Sequence, residues 1–373
     1  MNSPASEPDP NLGPTLDWSE LEPPPVLAAT WAARERIAAR PDAPGLFLAL
    51  APMDGVTDGS YRECLTALFG GRSGISLCVS EFVRVTRQPV VERVFLRHCP
   101  ELARGGKTRA GVPVFVQLLG GEPHWMARAA ETAVALGAPG IDLNFGCPAK
   151  TVNSSDGGAT LLKDPCRVEA VTRAVRAAVP AELPVTVKIR VGWEDPSPVV
   201  EIARAAEAGG ASWLTIHGRT RRQLYKPPVD YEAIGRAQAA VSMAVVANGD
   251  LFGVPSLFEA AQRSGCTAFM IGRGAMGRPE LFARARGTQR AALDPRPFEA
   301  LLDVYADTLL ASGANERNTL GRLKQWLRMA AMLRADMKLA FEQCKRLQTL
   351  DEARAKLREI LLRDPSEPLE LAG

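Results

Sequence analysis

The chain has 373 residues, of which 46% are hydrophobic and 23% charged, values typical of globular proteins and unlike those of disordered, collagen-like or disulfide-scaffold chains. The net charge is only +3, so bulk charge does not indicate a nucleic-acid-binding protein. The sequence has neither an apolar run of about 18 residues nor a signal-peptide pattern at its start. We therefore expect a cytoplasmic protein that is neither exported nor inserted in a membrane.

The N-terminal segment is rich in proline. Nine prolines fall within the first 45 residues, and such a composition does not easily pack into a core. We therefore predict that residues 1–45 form a flexible leader, in which a short helix around Ala28 to Ala39 docks on the body of the protein.

From Leu46 onward, eight short aliphatic or β-branched runs recur, each followed by an alanine-rich stretch of helical period. They begin near Leu46, Ser76, Val114, Gly140, Val185, Ala211, Ala244 and Ala268. Eight βα units over about 245 residues match a TIM (β/α)8 barrel in number and size. A doubly wound sheet is the alternative, but the strand count favours the barrel. We predict an α/β TIM barrel over residues 46–290.

After Arg286 only helical patterns remain, which predicts an all-helical C-terminal domain of three or four helices over residues 291–373. Its apolar face comprises Leu320, Leu323, Leu327 and Ala330. Eight basic residues against two acidic ones lie between residues 317 and 346. Three of the basic residues, Arg317, Lys324 and Arg328, fall within about 40° of one another on a helix. This face fits a nucleic-acid backbone and a solvated basic surface equally well.

In a TIM barrel the active site lies at the carboxyl ends of the strands, and polar residues end or interrupt all eight predicted strands. The residues at these positions are Pro52, Met53, Asp54, Glu81, Arg84, Gln117, Asn144, Cys147, Lys188, Arg190, His217, Asn248, Gly249, Asp250, Gly272 and Arg273. One such residue alone is more often structural, whereas eight strands together indicate a site. Lys188 lies in an apolar strand, where a buried charge requires a negatively charged partner.

The stretch Gly272 to Gly277 formally matches the dinucleotide-binding pattern G-x-G-x-x-G. No βαβ unit follows it, so that interpretation lacks its structural context. TIM barrels often bind phosphate in the loops after strands seven and eight. Asn248, Gly249 and Asp250 follow strand seven, so a phosphorylated cofactor such as FMN fits this position.

Seven cysteines without a C-x-x-C pair, and only three histidines, predict neither a metal site nor a disulfide framework. Cys147 follows the fourth strand within the segment NFGCPAK. A thiol with an ordinary pKa of about 8.5 is protonated at neutral pH, which favours a general acid over a thiolate nucleophile. We assign the other six cysteines to buried, structural positions.

Together these motifs resemble the tRNA-dihydrouridine synthases. The segments that carry the resemblance span residues 46–286 and are LALAPMDGVTD, CVSEFVRV, VFVQLLG, GIDLNFGCPAKTVNSSDGGATLLKDP, VTVKIRVGW, IHGRTRRQLY, VVANGD and MIGRGAMGRP. EFVRV, GCPAKTVN and the C-terminal GRLKQWL are most similar to the bacterial C class, which acts on uridine 16 of the tRNA D-loop.

The resemblance implies an FMN-binding, NADPH-dependent enzyme that reduces uridine to 5,6-dihydrouridine, with hydride transferred from FMN N5 to C6 and a proton from Cys147 to C5. The implied FMN contacts are Pro52, Met53, Asp54, Gln117, Lys188, His217, Asn248, Gly249, Asp250, Gly272 and Arg273. The implied tRNA contacts are Arg84, Asn144, Tyr225, Arg322, Lys324 and Lys345, several of them in the helical domain. We expect a monomer that needs no metal.

Three alternatives stay open at this point. The same reaction could occur at another D-loop uridine, at position 17 or 20. An FMN barrel of this kind could act on free pyrimidines or enones. The chain could also be a tRNA-binding folding helper with vestigial chemistry.

Overall fold

The computed structural model describes residues 22–69, 74–153, 156–289 and 293–362. The strands are β1 (Phe47–Leu50), β2 (Leu77–Val79), β3 (Val83–Arg84), β4 (Val114–Leu119), β5 (Ile141–Phe145), β6 (Val185–Arg190), β7 (Leu214–His217), β8 (Val245–Asn248) and β9 (Ala268–Ile271). Eight of them begin within three residues of the predicted starts.

These strands close into a parallel barrel. β1 pairs with both β2 and β9, β2 pairs with β4, and each strand from β4 to β9 pairs with the next. The predicted TIM barrel is therefore confirmed. The two-residue strand β3 was not predicted; it follows a bend after β2 and pairs with the far end of β4, Val83 opposite Leu118.

Helices connect the strands around the outside of the barrel, and further helices precede and follow it. They are α1 (Pro25–Ala32), α2 (Gly59–Phe69), α3 (Glu92–His98), α4 (Pro123–Ala135), α5 (Lys150–Asn153), α6 (Pro165–Ala178), α7 (Val199–Ala208), α8 (Tyr231–Ala240), α9 (Val254–Ser264), α10 (Arg273–Gly277), α11 (Leu281–Ala285), α12 (Pro295–Ala311), α13 (Glu316–Ala330), α14 (Ala335–Cys344) and α15 (Leu350–Leu361). Short 3-10 turns cover Pro100–Arg104 and Gly158–Lys163. None of the described helices combines the length and apolar character needed to cross a bilayer.

Side-chain caps fix where several of these helices begin. Asp164 accepts a hydrogen bond from the backbone N–H of Cys166 at the start of α6, and Asp230 accepts one from Ala233 at the start of α8. Each cap of this kind typically stabilises a helix by about 1 kcal/mol. The caps set the length of the loops that precede these helices, and the loop before α8 lies at the carboxyl ends of the strands.

The barrel interior changes character along the strands. Because alternate strand residues point inward, the amino-terminal half is filled by an apolar cluster of Phe47, Ala49, Leu77, Val79, Phe115, Trp213, Val246, Ala268 and Met270. The next inward residues towards the carboxyl ends are polar, such as Gln117 two positions after Phe115 and Asn248 two positions after Val246. The strands therefore seal one end of the barrel and leave a polar cavity at the other.

Part of the predicted leader packs on the barrel, as expected for its short helix, but that helix spans Pro25–Ala32 and not residues 28–39. Helix α1 packs on the barrel through buried Leu27 and Trp31, and the Trp31 ring lies 4.7 Å from that of Phe258. Farther along, the buried Arg286 guanidinium donates to the carbonyl oxygens of Arg36 and Leu46, at 3.1 and 2.8 Å. A few buried apolar residues, such as Leu27 and Trp31, are enough to hold this proline-rich segment against the barrel. Residues 1–21 lie outside the described residues.

The C-terminal helices α12 to α15 pack together and onto the barrel. The predicted apolar face of α13, from Leu320 to Ala330, is buried. Trp326 on the same helix donates from its indole nitrogen to the carbonyl oxygen of Met276, at 2.8 Å. Its ring lies 4.7 Å from that of Tyr61 on α2. The all-helical C-terminal domain is therefore confirmed, and α13 is the helix that joins it to the barrel.

Candidate active site

A cavity of about 950 Å³ opens at the carboxyl ends of the barrel strands. It is lined by every residue predicted to contact a cofactor, namely Pro52, Met53, Asp54, Gln117, Lys188, His217, Asn248, Gly249, Asp250, Gly272 and Arg273. Cys147 also lines it, as do Arg84, Asn144 and Tyr225. Residues from eight different strands or their following loops are thus gathered around one space large enough for a cofactor and part of a substrate.

Cys147 lies in the loop after β5 and is held by its backbone. Its N–H donates to Asn144 Oδ1 at 2.9 Å, and the N–H of Gly146 donates to the same oxygen at 3.0 Å. Burial raises the pKa of the Cys147 thiol above its ordinary value. The thiol therefore keeps its proton at neutral pH, as the sequence predicted for a general acid.

A chain of polar side chains lies beneath Cys147. Gln117 donates from Nε2 to Asp142 Oδ2 at 2.7 Å, and Asn144 donates from Nδ2 to Gln117 Oε1 at 2.9 Å. Thr186 donates to the other oxygen of Asp142 at 2.5 Å. Burial raises the pKa of Asp142 to about 6. Sequence reasoning missed Asp142, although its position two residues before Asn144 on β5 places it on the same inward face.

The wall next to the Cys147 loop is cationic. Burial, reinforced by neighbouring Arg190, lowers the pKa of Lys188 to about 8. Burial together with the charges of Arg190 and Lys188 holds the pKa of His217 well below its ordinary value, so its imidazole is neutral at pH 7. Arg190 is fixed by hydrogen bonds to the carbonyl oxygens of Gly146 and Leu224, at 2.9 and 2.7 Å.

Two features of this wall fit a bound polar or anionic group. The Lys188 ammonium Nζ makes a long 3.4 Å hydrogen bond to Asn248 Oδ1 and forms no ion pair among the described residues. His217 Nδ1 is buried without a hydrogen-bond partner in the described part of the chain. Asp142 acts electrostatically on Lys188, but no described carboxylate forms an ion pair with it, so a bound anionic cofactor fits as its direct partner.

The loops after β8 and β9 meet at one side of the cavity. Gly249 has a φ of +128°, a conformation that favours glycine. Asp250 next to it accepts hydrogen bonds from Arg219 and Arg273. The predicted cofactor contact Asp250 therefore uses its carboxylate to hold two arginines, and Arg273 also lines the cavity.

Tyr225 stands at the mouth of the cavity with 56% of its surface exposed. The guanidinium carbons of Arg190 and Arg273 lie 5.3 and 5.2 Å from its ring centre. An exposed aromatic ring flanked by two arginines offers both a stacking surface and positive charge for a nucleic acid.

The structure divides the six predicted tRNA contacts into two groups. Arg84, Asn144 and Tyr225 line the cavity, whereas the three on the C-terminal helices do not. Arg322 bonds to Asp58 and to the carbonyl oxygen of Gly55. Lys324 donates to the carbonyl oxygen of Leu347 at 2.5 Å, and Lys345 pairs with Glu342. These three side chains have partners within the protein that a charge count does not reveal.

Of the six cysteines assigned to buried positions, five are buried and Cys166 is exposed at the start of α6. Within the described ranges, no cluster of three or more His, Cys, Asp or Glu side chains is arranged to hold a metal ion.

The sequence model of the family described as "Dihydrouridine synthase (Dus)" matches residues 49–363. The chain is 40% identical over 315 residues to the tRNA-dihydrouridine(16) synthase of Haemophilus influenzae, which covers 83% of this chain and 98% of that protein. It is 44% identical over 279 residues to the tRNA-dihydrouridine(16) synthase of Escherichia coli (strain K12), covering 74% and 87%. The crystal structure of TcOYE with pHBA aligns with a TM-score of 0.51 at 11% identity, over 74% of this chain and 96% of that one. That likeness supports the barrel fold alone.

Proposed function

The chain belongs to the dihydrouridine synthase family, and from this premise we propose that it reduces uridine 16 in the tRNA D-loop to 5,6-dihydrouridine. FMN is the proposed cofactor and NADPH the reductant. The observation that carries the proposal is the single cavity that joins Cys147 to all the predicted cofactor-contacting residues. The name shared by relatives 40–44% identical to the chain supports position 16.

The residues of the cavity fit FMN. Lys188 and Arg190 supply positive charge, and the buried His217 Nδ1 offers an unpartnered polar atom. Gln117 and Asn248 add amide groups for hydrogen bonds to a ring edge. The loops around Gly249 and Gly272 are placed for the phosphate, as in many TIM barrels. When bound and reduced, FMN supplies the hydride that C6 of the uracil receives.

Cys147 completes the reduction by giving its proton to C5 of the uracil. Its raised pKa keeps the thiol protonated before the reaction, and a positioned acid typically contributes about 10²- to 10⁴-fold in rate. The two hydrogen bonds to Asn144 fix the backbone from which the thiol projects. The neutral His217 and charged Lys188 line the same cavity and would stabilise negative charge on a bound flavin.

The substrate uracil has to leave the folded tRNA to enter the cavity. Tyr225 and Arg84 at the mouth are placed to contact it and its neighbours as it enters. The proposed helical tRNA-binding domain, residues 291–373, adds exposed Arg317 and Arg328 on α13. Exposed positive charge of this kind is suited to holding an RNA backbone.

The test is to incubate the purified protein with unmodified tRNA transcript, FMN and NADPH and to map dihydrouridine by mass spectrometry. Dihydrouridine at position 16 supports the proposal. Modification at position 17 or 20 keeps the reaction and changes the target. Turnover of free uracil or enones without tRNA favours a small-molecule reductase, and tRNA binding without flavin or product favours the folding helper.

A further inference from the structure

We propose that Asp142 is a positioning residue for Cys147, acting through a directed chain of hydrogen bonds that runs through Gln117 and Asn144. The role concerns the proton donor of the proposed reaction and in that sense rests on the proposed function. Asp142 itself does not line the cavity; it lies one layer below it, on the same face of β5 as Asn144.

The chain has three links. Asp142 Oδ2 accepts from Gln117 Nε2 at 2.7 Å, and Gln117 Oε1 accepts from Asn144 Nδ2 at 2.9 Å. Asn144 Oδ1 then accepts from the backbone N–H groups of Gly146 and Cys147, at 3.0 and 2.9 Å. The strand register brings the two residues of the first link together, because Gln117 on β4 pairs directly with Asp142 on β5.

The direction of the chain follows from the chemistry of its end. An ionised carboxylate can only accept hydrogen bonds, whereas an amide side chain has one donor end and one acceptor end. Asp142 therefore forces Gln117 to present its NH₂ group downward and its oxygen to Asn144. Asn144 must in turn present its own NH₂ to Gln117, which leaves its oxygen for the Cys147 loop.

Burial prevents the hydrogen-bond chain from reversing its direction. Asp142 and Gln117 are 1% and 0% exposed, so a reversed amide would set two acceptors against each other without water to separate them. Thr186 occupies the remaining oxygen of Asp142 as a donor. Both oxygens of the Asp142 carboxylate therefore have a donor. Asn144 Oδ1 is then held in one place as the acceptor for the loop that carries the Cys147 thiol.

The first test reverses the chain. In Asn144→Asp, Gln117 lies between two carboxylates that can only accept hydrogen bonds, so one of them loses its donor. The double variant, Asp142→Asn with Asn144→Asp, restores a complete chain of hydrogen bonds that runs in the opposite direction. The measurement is amide hydrogen exchange of the peptide that contains Gly146 and Cys147, with the peptide from α8 as reference for global opening. We expect exchange at least about fivefold faster in Asn144→Asp and within about twofold of wild type in the double variant.

Exchange in the double variant as fast as in Asn144→Asp overturns the proposal, and so does wild-type exchange in Asn144→Asp. Equal acceleration in the α8 peptide also overturns it, because a general structural role would loosen both segments.

A second pair of variants covers the case in which Asn144→Asp does not fold. Thr186→Val keeps Asp142 as an acceptor and leaves the direction intact. Adding Asp142→Asn removes the acceptor-only group at the buried end of the chain, and the new amide has no partner there to orient it. Only the backbone N–H groups of Gly146 and Cys147 then still select the direction. At pH 8 we expect loop exchange within about twofold of wild type for Thr186→Val and at least about threefold faster for the double variant. Equal rates in the two variants overturn the proposal.

Alkylation by iodoacetamide reports on the thiol itself in this second pair, which introduces no new charge. The rate at Cys147 is divided by the rate at the exposed Cys166 in the same digest. We expect the ratio to change in the double variant alone. These measurements need neither tRNA nor FMN, so a failure of positioning and a failure of the proposed reaction are separately visible.

Discussion

At the scale of single residues, Cys147 combines two properties that a proton donor needs. Burial keeps its pKa above the ordinary value, and its backbone N–H is fixed by Asn144. A thiol that stays protonated at neutral pH and has a defined position can give its proton to one carbon of a bound ring.

Replacing Cys147 by alanine tests this role. We expect the single-turnover rate of dihydrouridine formation to fall by about 100-fold or more because the proton donor is lost, with FMN and tRNA affinities unchanged. Cys166→Ala, which removes an exposed thiol outside the cavity, serves as the control and should keep the wild-type rate. A Cys147→Ala variant with full activity would remove Cys147 from the mechanism.

The titration of Lys188 in the FMN-free protein should make FMN affinity depend on pH. Its pKa is lowered to about 8 by burial and by Arg190, against the opposite effects of Asp142 and Cys147. The ammonium is therefore charged below pH 8 and loses its charge as the pH rises through 8. Because the charged form attracts an anion, FMN affinity should fall over that range.

Titrating FMN binding by fluorescence between pH 6.5 and 9.5 measures this effect. We expect about a tenfold loss of affinity above pH 8 in the wild type and a weak, nearly flat profile for Lys188→Met. Lys188→Arg keeps its charge and should also be flat. The same slope in all three proteins would assign the dependence to another group.

At the scale of elements, α13 has two faces with different tasks. Trp326 faces the barrel, donates to the carbonyl oxygen of Met276 and packs against Tyr61 and Tyr305. Arg317 and Arg328 lie exposed on another part of the helix. The helix therefore sets the position of the C-terminal domain while presenting positive charge to solvent.

Trp326→Phe removes the indole donor and leaves a buried carbonyl with one partner fewer. We expect the free energy of unfolding to fall by about 1–3 kcal/mol, measured by chemical denaturation. Val304→Ala on α12, where 52% of the side chain is exposed, is the control and should change it by less than about 0.5 kcal/mol. Equal losses in both variants would contradict the anchoring role of Trp326.

Arg328→Glu tests the exposed face without disturbing internal partners. We expect tRNA affinity to fall about fivefold and the salt dependence of binding to flatten by about one unit of slope. Arg236→Glu on α8, an equally exposed arginine on the outside of the barrel, makes the same charge change elsewhere. An equal loss of tRNA affinity in the two variants would indicate a general charge effect. Unchanged affinity in Arg328→Glu would show that this face is only a solvated surface.

At the scale of the whole molecule, the barrel was predictable because parallel strands are buried on both faces and therefore appear as continuous apolar runs. The polar residues that end those runs identified the cavity for the same geometric reason. The helical C-terminal domain was visible in the apolar period of residues 320–330.

The features that the sequence did not predict depend on contacts between distant parts of the chain. Arg322 and Lys324 belong to a basic run, but Asp58 and the carbonyl oxygen of Leu347 occupy them in the structure. The partners of Asp142 come from two neighbouring strands. Periodicity and charge counts carry no information about such pairs, so these roles emerge only from the folded molecule.

The most direct test of the whole account is a map of dihydrouridine in tRNA from cells that lack the gene, complemented with the wild-type chain or with Cys147→Ala. The account predicts that dihydrouridine at position 16 disappears, returns with the wild type and stays absent with Cys147→Ala. A map that keeps dihydrouridine at position 16 without the gene, or one fully restored by Cys147→Ala, would contradict it.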